Sequence, residues 1–162
     1  MGGMNPEKDI IIEILKNLSL FSSLNYGAIK ELTFLFSERI FQAGETIFEE
    51  NDTGNSLLVI ISGEVRITQR ANVSGEETLT VLKKGDFFGE MALLEDLPRS
   101  ATAIAHSDAC IMEISQERFL RFIEKDPASG VKILVSLAKS LSARLREADG
   151  KIKAFVNLSQ WI

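Results

Sequence analysis

The chain has 162 residues, one domain's worth, and its 45% hydrophobic and 25% charged content excludes a polypeptide disordered throughout. A formal net charge of -5, from 18 Lys and Arg against 23 Asp and Glu, repels phosphate backbones and argues against sequence-general nucleic-acid binding. One cysteine and one histidine cannot build a disulfide or a Cys/His zinc site, and neither Gly-x-Ser-x-Gly nor Gly-x-x-x-x-Gly-Lys-Ser/Thr occurs, so a binding module outranks an enzyme.

Asn5-Pro6-Glu7 has the order of an N-cap, a first-turn proline and a first-turn acid. It leads into Ile10, Ile11, Ile14, Leu15 and Leu18 at helical spacing, which predicts a helix ending near Asn17. A cap within 22–25 starts a second helix, with Ile29, Leu32, Leu35 and Phe36 on one side. Residues 1–37 are thus expected to be helices that pack on the remainder of the domain.

From Arg39 to Glu113 short β-branched and aromatic runs are punctuated by Gly44, Gly54, Gly63, Gly75, Gly85 and Gly89, a rhythm of an all-β barrel or sandwich. Strands are predicted over 39–41, 46–48, 56–62, 64–69, 77–82, 101–106 and 110–114. Val65, Ile67 and Gln69 alternate with Arg66, Thr68 and Arg70, as a half-buried strand requires, and Ser62-Gly63-Glu64 reads as a turn. His106 reads as a buried or edge strand residue and Cys110 as core, neither as a metal ligand. The longest apolar run, Leu57-Leu58-Val59-Ile60-Ile61, is far short of the roughly 20 residues of a membrane helix, and the start carries no secretory signature. A cytoplasmic protein without membrane contact is expected.

Ser115 can cap a short helix over Phe119, Leu120, Phe122 and Ile123, and Asp126-Pro127 breaks it and starts another. In that last helix Val131, Leu134, Ala138, Leu141, Leu145, Ala148, Ile152 and Phe155 follow one another by steps of three and four, the seam of a two-stranded coiled coil. Self-association through this seam and packing of the helix on its own barrel are the two readings. Gly150 weakens continuity, the helical region is bounded at 116–156, and 157–162 reads as a tail. Lys132, Lys139, Arg144, Arg146, Lys151 and Lys153 read as a solvated basic face.

The stretch that carries chemistry is Phe87-Phe88-Gly89-Glu90-Met91-Ala92-Leu93-Leu94-Glu95-Asp96-Leu97-Pro98-Arg99-Ser100-Ala101-Thr102-Ala103. Gly89 permits close approach of backbone to a ligand, and residues 90–93 can form one helical turn with free N–H groups. Arg99, after a stiffening proline, supplies a planar fork for two phosphate oxygens. A carboxylate and a guanidinium at opposite ends of one loop suit a ligand with both a hydroxyl and a phosphate.

At these residues the chain resembles the cyclic nucleotide-binding domain family, the type found in catabolite activator proteins and in regulatory subunits of cyclic AMP-dependent kinases. Phe-Gly-Glu-Met-Ala-Leu-Leu followed by Pro-Arg-Ser-Ala is similar to that family's phosphate-binding cassette, placed here at 87–103. The resemblance implies a mainly β fold with flanking α: a double-stranded β-helix, or jelly-roll-like β-roll, over 38–115, with N-terminal helices and a long C-terminal helix.

The implied ligand is cyclic AMP, with cyclic GMP as the second choice, and no cofactor or metal. The implied ligand-binding residues are Gly89, Glu90, Met91, Ala92, Arg99, Ser100 and Ala101. Glu90 would accept from the ribose 2′-hydroxyl and Arg99 would pair with the cyclic phosphate, while Ser100 and backbone donors at Gly89 and Ala92 complete the cradle. Ser136, Ser140 and Ser142 are candidates for the purine edge, and Leu79 and Val81 for the base pocket. The function implied is a regulatory sensor that transmits occupancy through its C-terminal helices, as a homodimer or to a downstream protein partner. The alternatives are a β-roll interaction scaffold without a nucleotide, and the sensor half of a transcription regulator. Only about 16 residues follow Arg146, too few for a helix-turn-helix reader, so direct DNA binding by this chain is not expected.

Overall fold

The computed structural model describes residues 6–71, 75–95 and 97–159; the predicted cap Asn5 and the end of the predicted tail, 160–162, lie outside them. The chain opens with α1 (Pro6–Asn17) and α2 (Tyr26–Leu35). Within the predicted capping segment the cap is Asn25, whose side chain accepts from the Ala28 N–H at 2.9 Å.

Strands β1 (Ser37–Phe41), β2 (Thr46–Phe48), β3 (Ser56–Ser62), β4 (Glu64–Ala71), β5 (Gly75–Lys83), β6 (Phe87–Phe88), β7 (Thr102–Ala105) and β8 (Ala109–Ser115) form two antiparallel sheets. One has the order β1-β8-β3-β6 and the other β2-β7-β4-β5, so the chain passes repeatedly from one sheet to the other, as in the expected roll. Gly63 makes one such crossing at φ +81°, where an added Cβ would lie 2.2 Å from the Asp108 carbonyl oxygen; no side chain fits there.

Strand β3 shows why the apolar run Leu57–Ile61 is continuous. Leu58 and Ile60 face the core between the sheets, with Phe41, Val65, Phe88, Ala103 and Ile111, whereas Leu57 and Val59 face the helices, with Leu15, Phe21, Leu32, Phe119, Ile133 and Leu137. A strand covered on both faces needs no polar alternation. In β4, Val65 and Arg66 alternate as expected, but Thr68 is fully buried, its hydroxyl hydrogen-bonded to Glu76. Across β4 and β5, Ile67 pairs with Thr80 and Thr68 with Thr78, which leaves Leu79 as the extra residue of a β-bulge. His106 lies past the end of β7 and is exposed, and Cys110 is half-buried opposite the exposed Ile40; neither is a core residue.

A single turn, α3 (Met91–Leu94), interrupts the strands, and α4 (Gln116–Lys125) and α5 (Pro127–Ser159) close the chain. Ser115 caps α4 by accepting from Arg118 N–H at 3.3 Å, and Asp126 caps α5 by accepting from Ser129 N–H at 3.1 Å. Gly130 lets the two helices cross closely, since an added Cβ would sit 2.7 Å from Ile123 Cγ2. Phe119, Phe122, Ile133 and Leu137 are buried at this joint, while the seam residues Val131, Leu134, Leu145 and Ile152 are exposed. The helix thus packs on its own domain with one face, Leu141 of the predicted seam included, and leaves Val131, Leu134, Leu145 and Ile152 of that seam open. It also runs through Gly150 to Ser159, beyond the predicted tail boundary: a glycine in open space costs about 1 kcal/mol, too little to end a helix this long. No helix among the described residues is long and apolar enough to cross a membrane.

Candidate functional site

The loop between β6 and β7 lies against one end of the roll and, with β4, β5 and α5, encloses a cavity of about 550 Å³. Gly89, Glu90, Met91, Arg99, Ser100 and Ala101 all line it, so six of the predicted residues meet at one place; Ala92 lies in α3. The loop can make its turn because Gly89 sits at φ +73°. Its return strand is pinned to the segment after β2: the Arg99 N–H donates to Asp52 O, and the Asn51 N–H to Arg99 O, both at 2.9 Å.

Arg99 is 7% exposed, an extreme degree of burial for a guanidinium. Nη1 donates to the carbonyl oxygens of Ser56 at 3.0 Å and Gly89 at 3.3 Å, and Nη2 donates to Ser56 Oγ at 2.9 Å. The fork lies over the Phe48 ring, 4.2 Å from its centroid. Nε is buried with no hydrogen-bond partner. Glycines on both sides make room: a Cβ at Gly54 would lie 2.1 Å from Arg99 Nε, and one at Gly89 2.5 Å from Nη1. Burial holds the Arg99 pKa below the ordinary arginine value, against the opposing fields of Glu113, Asp52 and Glu90.

Glu90, 5% exposed, is the second buried charge of the loop. Its carboxylate accepts from Arg144 Nη1 of α5 at 2.5 Å, and Arg144 Nη2 also donates to Phe87 O at 2.9 Å with its guanidinium 5.0 Å from the Phe87 ring centroid. A helix whose sequence reads as a solvated basic face therefore reaches into the site. Sequence reasoning misses Arg144, because it lies 54 residues from its partner and nothing local distinguishes it from the exposed Arg146. Glu147, Ala148 and Lys151 line the cavity beside it, one and two turns further on.

The residues expected to meet the base are placed differently from one another. Leu79 lines the cavity together with Thr80 and Leu82, because the bulge turns two successive side chains toward it; Val81 does not line it. Ser136 and Ser140 lie earlier on α5, in a groove with Ser19, Ser22 and Ser23, and Ser142 is two residues from Arg144, about 200° around the helix. None of the three serines lines the cavity. Chemically, the site offers a buried carboxylate, a buried guanidinium with an unused donor, and an apolar wall of Phe48, Leu79, Leu82 and Leu97. Among the described residues no group of three or more His, Cys, Asp or Glu is placed to hold a metal.

Comparison with known proteins gives a consistent picture. Residues 38–126 match the model of the family described as "Cyclic nucleotide-binding domain". The sequence is 35% identical to the cyclic AMP receptor protein of Thermus thermophilus over 136 residues, 83% of this chain and 61% of that protein. It is 36% identical to the cAMP-dependent protein kinase regulatory subunit of Hypocrea atroviridis over 109 residues, 67% of this chain and 22% of that protein. A crystal structure of a cyclic nucleotide-binding domain from Methylobacillus flagellatus superposes with a TM-score of 0.80 at 26% identity, covering 94% of this chain and 85% of that one. The chain spans about six-tenths of the bacterial receptor and under a quarter of the kinase subunit.

Proposed function

The chain belongs to the cyclic nucleotide-binding domain family, and on that premise we propose that it is a regulatory module binding a 3′,5′-cyclic purine nucleotide, cyclic AMP before cyclic GMP. The observation that carries this is the Arg99 guanidinium, buried between two glycines with Nε unpaired, in the same cavity as the buried carboxylate of Glu90. A cyclic phosphate is a compact monoanion, and a pre-placed, desolvated fork recognises it with little reorganisation. Glu90 takes the ribose 2′-hydroxyl, Arg99 the phosphate, and Ser100 with the backbone N–H groups of Gly89 and Ala92 the remaining oxygens. Phe48, Leu79 and Leu82 form an apolar wall against which the base packs, and the names of the bacterial and kinase relatives favour cyclic AMP.

Occupancy is read through Arg144. It donates to the Glu90 carboxylate, so a ribose hydroxyl bound to the same carboxylate competes with that contact and biases the position of α5. A ligand binding one helix position a hundredfold better than the other shifts the equilibrium by about 2.7 kcal/mol. Output passes to a second copy across the exposed seam of α5, or to a protein partner; with the match to bacterial receptors, the chain also fits the sensor portion of a transcription regulator.

The test is calorimetric titration with cyclic AMP and cyclic GMP. Binding in the micromolar range or tighter is expected, with Arg99→Ala removing about 2 to 5 kcal/mol of it, the penalty for stranding one partner of a desolvated charge pair. No heat with either nucleotide at millimolar concentration, or binding untouched by Arg99→Ala, overturns the reading. A scaffold without ligand predicts the first of these results.

A further inference from the structure

An arginine side chain is long and has many rotamers, so a fork held in one place in a buried site needs anchors behind it. For Arg99 the anchor is Ser56, at the start of β3, which receives Nη1 on its carbonyl and Nη2 on its hydroxyl. That hydroxyl has one proton, and it is given to Glu113 Oε1 on β8 at 2.6 Å. The register explains the contact: Ser56 pairs with Ser115 and Leu58 with Glu113, which makes Ser56 and Glu113 diagonal neighbours on one face of the sheet. The other carboxylate oxygen of Glu113 accepts from Arg39 Nη1 on β1 at 3.2 Å, which fixes the carboxylate in turn.

From this chain of contacts we propose that Glu113, acting through Ser56, is the positioning residue of the Arg99 fork. By taking the Ser56 proton, Glu113 sets the hydroxyl so that a lone pair faces Nη2, and with the two carbonyl oxygens this ties both terminal nitrogens from behind. The Nε–H and the second N–H of Nη2 are the donors that no hydrogen bond here uses. Glu113 is also the foremost of the acidic groups that offset the burial of the guanidinium's charge. Of the residues in this relay only Arg99 lines the cavity, so Ser56 and Glu113 act on it from behind.

The inference rests on the cyclic phosphate reading, and the experiment separates the two. Dissociation constants for cyclic AMP and for adenosine, which lacks the phosphate, are measured by displacement of a fluorescent cyclic nucleotide from the wild-type chain and from Ser56→Ala, Glu113→Ala, Glu113→Gln and the Ser56→Ala/Glu113→Ala double variant. Both alanine variants are expected to weaken cyclic AMP about tenfold while adenosine is unchanged, and the double variant is expected to be no weaker than either. Glu113→Gln, whose amide oxygen still accepts the Ser56 proton, is expected to restore most of the affinity, and thermal melting checks that each variant is folded. Parallel loss of cyclic AMP and adenosine, additive losses, or variants that bind like the wild type while Arg99→Ala does not, each overturn the positioning role alone. A wild-type chain that binds no cyclic nucleotide overturns both.

Discussion

The two halves of α5 share one helical backbone and have opposite relations to the domain. The first is embedded: Ser129, Gly130, Ile133 and Leu137 are buried, and Gly130 lies directly against Ile123 of α4. In the second, every described side chain from 142 to 157 is exposed, and Arg144 ties it to Glu90 and Phe87. Burial of apolar surface fixes the first half by several kcal/mol, whereas the second is set by ionic and hydrogen-bond contacts that a ligand touching Glu90 can alter. The difference teaches where a signal can act: a modest binding energy moves only what is modestly held.

The sharpest way to break that contrast is in the embedded half. Ile133→Ala is expected to cost about 2 to 5 kcal/mol in urea unfolding, as a truncated core residue does; a near-neutral result would show that this half is not anchored. Arg144→Met is expected to cost only about 1 kcal/mol, because its partner Glu90 is buried but the arginine is itself half-exposed. Its larger effect is on amide hydrogen exchange, which should quicken beyond Leu141 and stay unchanged from 129 to 137; uniform quickening would merge the two halves into one unit. Leu145→Glu with Ile152→Glu should leave unfolding energies within about 0.5 kcal/mol of wild type; on the proposed self-association through the seam, sedimentation is expected to give a dimer for the unmodified chain and a monomer for the variant.

The smallest effect concerns acid. Hydrogen bonds from the Ser129 side chain and backbone hold the Asp126 carboxyl below the ordinary aspartate range, so its ionised form is worth more to the folded state than to the unfolded chain. That contribution is complete above the ordinary aspartate pKa and is lost as pH falls through the lower folded value. Asp126→Asn should flatten the stability profile in that acid window and leave it unchanged near neutrality. An unaltered acid limb would remove this cap from the joint between α4 and α5.

What the sequence discloses tracks the range of the forces involved. Capping by Asn25, Ser115 and Asp126, and the crossing at Gly63, are local events whose residues stand side by side in the chain. The loop residues from Gly89 to Ala101 are legible for the same reason: one short segment brings them to one cavity. Arg144 is not, since its role exists only once the helix has been laid across the loop. Simple alternation puts Val81 on the wrong face because a single extra residue, Leu79, resets the pattern of β5. Two residues are too few to show any periodicity, so in the sequence β6 is indistinguishable from the loop at Phe87–Phe88.

The clearance at Gly54 bears on how such a domain can fail. The atoms that a methyl group would strike there, Nε, Cζ and Cδ of Arg99, are the far end of a pliant side chain and not backbone, and the backbone at Gly54 is not in the left-handed region. Alanine at this position evicts the guanidinium while the roll, the joint and the long helix persist. On the proposed function, one codon change is therefore expected to make the domain deaf to its ligand without unfolding it, with its outer surfaces unchanged.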